Sequence, residues 1–170
     1  RRLLRLFLKV CEAMSYAHEK GFIHRDLKPA NIRINTNDEV VVMDWGLARK
    51  IGEAEDLAVY QTAEGREGRL AAASGLTQEG DVVGTPAYMP PEQLEEQSQA
   101  DQRADIYSLG ATLYEILCLE RPYGGSGLQA VRRLVEGSPK PPSQRNPDRV
   151  IPVALEAIVV KAMDRKPVKR

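Results

Sequence analysis

Cysteine is nearly missing from this sequence. Cys11 and Cys118 are the only two in 170 residues, too few and too far apart for a metal site, and two isolated thiols suit a reducing compartment. Excess charge is missing as well, because 24 basic residues balance 24 acidic ones. No bulk field therefore draws the chain to nucleic acid or to an anionic membrane surface. There is no long apolar run: ATLYEILCL, the best candidate, is short and carries Glu115, whereas a bilayer span needs about 20 apolar residues. The sequence has neither an initiator methionine nor a signal-peptide pattern. It opens inside an amphipathic segment and stops at KPVKR, the pattern expected of a chain cut at both ends. Together these features predict a soluble, cytoplasmic domain with no membrane segment of its own, and they leave room for an anchor elsewhere in a longer chain. A chain of this length fits one domain and buries roughly 70% of its unfolded surface on folding.

The positive information lies in spacing. Leu3, Leu6, Phe7, Val10, Met14 and Ala17 recur at helical intervals, which predicts a helix over Leu3–Lys20. Gly21 ends it at little cost, since glycine takes the left-handed conformation readily. A polar loop follows. IRI and VVVM are short strand-like runs joined by NTNDE, whose Asn and Asp residues favour turns, so a hairpin is expected. Residues 50–83 are rich in Ala, Gly and Glu, with only a weak helical hint in DLAVYQTAE, and read as a long surface loop. Ile106, Leu109, Leu113, Ile116 and Leu117 predict a second helix, about 101–119, whose wide apolar stripe should lie deep in the core. PYGGSG breaks it. Beyond lie a short helix over Leu128–Glu136, an extended connector over SPKPPSQRNP, where prolines exclude helix, and a last helix with a strong apolar face over Val153–Met163. The expected fold is mainly α (α+β), with one small β-hairpin and no internal repeat.

The stretch HRDLKPAN, residues 24–31, concentrates the chemistry. Asp26 is followed two residues later by Lys28 and five later by Asn31. Phosphoryl transfer needs such a set: a carboxylate to orient the attacking hydroxyl and accept its proton, a cation to neutralise the moving group, and oxygen ligands for magnesium. Asp44, in MDWG just after the predicted hairpin, offers a second hard oxygen ligand. A hairpin between Asn31 and Asp44 would return both to one rim, as a two-ligand magnesium site.

HRDLKPAN, then DWG, then GTPAYMPPE, then DIYSLG, in that order, resemble the C-terminal lobe of the eukaryotic-like protein kinases, most nearly the bacterial (Hanks-type) serine/threonine kinases. The resemblance runs over nearly the whole chain. It implies one protein kinase C-lobe over residues 1–170, with a catalytic loop at 22–31 and an activation segment at 44–92. It further implies ATP and Mg2+ as cofactors and Ser or Thr hydroxyls of proteins as acceptors. By position, Asp26 matches the catalytic base and Lys28 the cation on the phosphate. Asn31 and Asp44 match the magnesium ligands, and Thr85 the threonine that bonds the catalytic Asp and Lys. Arg33 and Met43 fall among the nucleotide-binding positions. Arg25 matches the arginine that grips a phosphorylated activation loop, for which Thr77 is the expected phosphosite. His24, Trp45, Glu92, Asp105 and Arg170 match structural positions. Among these, Asp105 would tie down the catalytic loop backbone, and Glu92 would pair with Arg170.

Plainer readings stand beside these. An exposed Arg25–Asp26 pair would be worth about 0–1 kcal/mol, Asp105 would favour a helix dipole where it stands, and His18 reads as a helix-face residue with no catalytic part. Two departures bear on function. No glycine-rich phosphate loop, VAIK-like strand lysine or partner helix glutamate occurs in the sequence, so the resemblance implies an N-lobe elsewhere in the full chain and almost no transfer by these residues alone. Arg33 stands where the family usually places Leu or Met. Its guanidinium either stacks on adenine or turns outward and leaves a poor pocket. The second function class is accordingly a non-catalytic pseudokinase or scaffold module. A small-molecule phosphotransferase is disfavoured by Lys28 and by GTPAYMPPE.

Overall fold

The computed structural model describes residues 1–52, 86–94, 101–125 and 127–170. Helix α1 runs Arg2–Glu19 and buries Leu6, Val10, Met14 and Ala17, the stripe expected from the spacing, while Leu3 in the first turn remains half exposed. Gly21 follows with φ +81°, its N–H bonded to the His18 carbonyl at 2.9 Å.

Strand β1 (Phe22–Ile23) leads into the polar loop. Strands β2 (Ile32–Ile34) and β3 (Val40–Val42) form the expected antiparallel hairpin, with Ile32 opposite Val42, Arg33 opposite Val41 and Ile34 opposite Val40. Its turn is closed by Asn35 Oδ1, which accepts the N–H groups of Asn37 and Glu39 at 2.9 and 3.0 Å. Arg2 and Lys9 of α1 clip the turn through Asp38, Arg2 to its carboxylate at 2.6 Å and Lys9 to its carbonyl at 2.7 Å. The expectation of a single hairpin was incomplete. Strand β4 (Arg49–Lys50) pairs antiparallel with β1, Phe22 opposite Lys50 and Ile23 opposite Arg49. Two-residue strands are too short to show alternation in sequence, so the pairing carries no periodic signal.

Helix α2 (Arg103–Cys118) is the axis of the fold. It is buried on most of its circumference rather than along one stripe, with Tyr107, Ala111 and Tyr114 inaccessible or nearly so and Ile106 and Ile116 only half-buried. Leu109 packs with Val10, Met14 and Leu27, whereas Tyr107, Ala111, Tyr114 and Leu117 pack with Tyr88, Tyr123, Leu134 and Val159. The buried phenols find acceptors: Tyr114 donates to the Lys140 carbonyl at 2.8 Å, and Tyr123 to that of Gly137 at 3.1 Å. Leu119, with φ +59°, ends the helix.

Helix α3 (Gly127–Glu136) matches the expected short helix. The proline connector is not wholly extended, because Pro142–Arg145 make one helical turn, α4. Pro141 stays extended before it, and Pro142 sits in the first turn, where a missing N–H costs nothing. Helix α5 (Val153–Ala162) exists as expected, but its apolar residues are mostly exposed: Val159 alone is buried within it, while Val153, Ile158 and Val160 face outward. The contact with α2 is close at Gly110, where an added Cβ would lie 2.8 Å from Ala162 Cβ and 2.9 Å from Met163 Cγ. Gly110→Ala is expected to destabilise the domain by about 1–3 kcal/mol through overpacking. Urea unfolding of the complete protein checks this, and an unchanged midpoint would mean α5 moves aside freely. Among the described residues no helix is long and apolar enough to cross a membrane.

Candidate active site

One carboxylate holds the loop of residues 24–31 to the core. Asp105, fully buried in the first turn of α2, accepts the backbone N–H of His24 through Oδ2 and that of Arg25 through Oδ1, each at 2.9 Å. His18, in the last turn of α1, donates to Oδ2 at 2.8 Å. A charge so fully removed from water persists only with this kind of hydrogen bonding. The bonds also hold a bent backbone in place. Arg25 has φ +69°, a conformation that costs a non-glycine residue about 1–2 kcal/mol.

His24 is equally buried. Its Nδ1 accepts the Asp26 N–H at 3.3 Å, so Nε2 carries the ring proton and donates to the Met43 carbonyl at 2.9 Å. The ring tilts against Trp45, centroids 4.6 Å apart, and Trp45 donates its indole N–H to the Val42 carbonyl at 3.0 Å. His24 thus joins the loop to the far end of the hairpin, and the indole donor that Trp45 brings is satisfied.

Asp26 is the centre of the cluster. Its Oδ2 accepts Lys28 Nζ at 2.7 Å and Asn31 Nδ2 at 3.0 Å, and Asn31 Nδ2 also reaches the Asp26 carbonyl at 2.8 Å. Among the described residues no donor reaches Oδ1, and the side chain is 30% exposed. One carboxylate oxygen is therefore fixed by its own loop, while among the described residues no bond holds the other.

Asn31 is buried and commits its Nδ2 to Asp26, which leaves its side-chain oxygen as the atom suited to a hard cation. Its backbone carbonyl accepts the Met43 N–H at 2.8 Å, extending the β2–β3 register by one pair. This brings the chain back so that exposed Asp44 (φ +63°) follows directly opposite the Asn31 end of the hairpin. Two hard oxygen donors at one end of a hairpin suit Mg2+, which keeps waters and substrate phosphates as its remaining ligands. Among the described residues no three His, Cys, Asp or Glu side chains group as a metal-holding cluster, so the rim offers no closed cage. Arg33 stands with Val41 on the exposed face of the hairpin, away from Ile32 and Val42, which pack on the core.

Glu92 and Arg170 meet in a bidentate ion pair of 2.5 and 2.7 Å, the Arg170 side chain wholly buried. Arg170 also donates to the carbonyls of Asp164 and Arg103 and lies 4.8 Å over the Tyr107 ring. Nearby, Tyr88 donates to Glu115. Burial, with that carboxylate beside it, pushes the Tyr88 phenol up, so the hydroxyl stays a donor. Burial likewise pushes the Cys11 and Cys118 thiols up, as expected of inert rather than ligating cysteines. Thr77 and Thr85, with most of the 44–92 segment, lie outside the described residues.

Two residues in this network had been given no part. His18 shares the buried side of α1 with Met14, four residues earlier, a position where an imidazole needs a partner, and that signal was available. Gln93, whose Nε2 donates to the Arg25 carbonyl at 2.7 Å, had no such signal.

The protein kinase domain model matches residues 1–170. The chain belongs to the protein kinase family. Within it, this kinase chain is 37% identical to the serine/threonine-protein kinase PknB of Mycolicibacterium smegmatis, over 100% of the chain and 24% of that protein. It is 42% identical to PknB of Mycobacterium leprae, over 94% of the chain and 22% of that protein. Against the serine/threonine-protein kinase PknD of Protochlamydia amoebophila the identity is 39%, over 95% of the chain and 16% of that protein. The kinase chain thus spans about a quarter or less of the length of these relatives.

Proposed function

We propose that these residues form the C-terminal lobe of a serine/threonine protein kinase that moves the γ-phosphoryl group of ATP to Ser or Thr hydroxyls of protein substrates. The observation that carries this reading is the Asp26 carboxylate, oriented on Oδ2 by Lys28 and Asn31 with no donor on Oδ1 among the described residues. In this reading the substrate hydroxyl oxygen bonds to the γ-phosphorus as the bond to the ADP leaving oxygen breaks, and the hydroxyl proton passes to Asp26. Lys28 neutralises charge on the moving phosphoryl group. Asn31 and Asp44 would hold Mg2+, which when bound would offset the charge of the ATP phosphates. Met43 and Arg33 contribute to the nucleotide side of the cleft. Thr85 would bond Asp26 and Lys28, and Arg25 would grip a phosphate on Thr77. Nothing in the geometry favours the pseudokinase alternative, because a chain freed from catalysis has no physical need for an oriented Asp26 beside Lys28 and Asn31.

The complete protein, given labelled ATP and Mg2+, is expected to phosphorylate a Ser/Thr-containing protein and to yield phosphoserine or phosphothreonine on hydrolysis. The isolated 170 residues are expected to transfer nothing measurable, because they contain no glycine-rich loop or strand lysine to align the phosphates. Absence of transfer by the complete protein would sink the reading. Transfer by the isolated chain would refute the requirement for those missing parts.

A further inference from the structure

The peptide plane between Arg25 and Asp26 sets the direction in which the Asp26 side chain leaves the backbone. Its N–H end is held by His24 Nδ1 across a long 3.3 Å bond. Its C=O end accepts Gln93 Nε2 at 2.7 Å, from a residue 68 positions away in sequence. The preceding N–H, that of Arg25, goes to Asp105. The φ of +69° at Arg25 is unfavourable for a side chain with a Cβ, and such a conformation persists only where its surroundings over-determine it. Gln93 is itself well anchored. It lies in the 3-10 turn Pro91–Leu94, next to Glu92, which is locked to buried Arg170.

We infer that Gln93 is a positioning residue for phosphoryl transfer, its amide N–H holding the Arg25 carbonyl so that Asp26 is aimed at the acceptor hydroxyl. The end of the segment containing GTPAYMPPE would then control the orientation of the base through one hydrogen bond. Its effect on rate rests on the kinase reading above, but its effect on the loop does not.

The test uses the complete protein with Gln93→Met, which keeps length and loses the donor, Gln93→Glu, which offers only acceptors to the carbonyl, and Gln93→Lys, which restores a donor. Asp26→Asn serves as the control for chemistry. We expect Gln93→Met to lower kcat about tenfold, as a small mis-aiming of a reacting group does, with KM for ATP within about twofold. Gln93→Glu should fall further, and Gln93→Lys should recover most of the rate. A merely structural role would order the variants by size instead. Amide exchange of the peptide covering residues 22–31 should quicken in the Met and Glu variants and return towards wild type in Lys. A kcat for Gln93→Met within about twofold of wild type, or unchanged exchange in all three variants, would overturn the proposal. If the wild type transfers no phosphate, the kinase reading fails, and exchange alone then decides whether Gln93 holds the loop.

Discussion

Asp26→Asn in the complete protein is expected to lower kcat by about 10²–10⁴-fold, the usual worth of a positioned general base. Asparagine has the shape of aspartate, and its side-chain oxygen can still accept from Lys28 and Asn31, which now bond Asp26 Oδ2 at 2.7 and 3.0 Å. The loop therefore keeps its form. What asparagine cannot do is take a proton from the attacking hydroxyl. KM for ATP should change by less than about threefold, since the lost interaction is made mainly in the transition state. Steady-state kinetics, with a thermal melt to show an unchanged fold, checks this. A fall of less than about tenfold would remove Asp26 from the base role, whatever its place in the motif.

Arg170→Ala is expected to cost about 3–5 kcal/mol of stability, the usual loss when one partner of a buried ion pair is removed. Here the geometry is near the top of that range. The Arg170 side chain is wholly buried, grips both Glu92 oxygens, donates to the carbonyls of Asp164 and Arg103, and lies over the Tyr107 ring. Truncation takes two hydrogen bonds from a carboxylate that is 9% exposed and one from each of two carbonyls. For a domain of this size the melting midpoint should drop by about 6–20 °C. Replacing both members together, as Glu92→Leu with Arg170→Met, should recover much of the loss, because no buried charge remains. Thermal and urea unfolding of the complete protein checks both. A single mutant within about 1 kcal/mol of wild type would mean that the pair opens to water.

The two predictions also separate what the sequence could reveal from what it could not. Asp26, Lys28 and Asn31 lie within six consecutive residues, and contacts over that span follow from local chain geometry. Helix α1 and the β2–β3 hairpin were likewise legible, because a 3.6-residue period, turn-forming Asn and Asp residues and a left-handed glycine all act locally. The same reasoning overstated α5, since a strong apolar face in sequence says nothing about how much of it a neighbour covers, and Val153, Ile158 and Val160 stay exposed. It missed β1–β4, whose two-residue strands have no period to read.

By itself the sequence determined the local chemistry: a carboxylate, a cation and an amide at fixed spacing, a hairpin to bring Asp44 back to Asn31, and an ordered set of motifs that identifies the family. Only the tertiary structure decided how that chemistry is aimed. His18 on Asp105 and Gln93 on the Arg25 carbonyl join residues 87 and 68 positions apart. No periodicity selects partners over such distances. They meet because α2 is buried on most sides, and each polar group carried into that core must find a hydrogen-bond partner there.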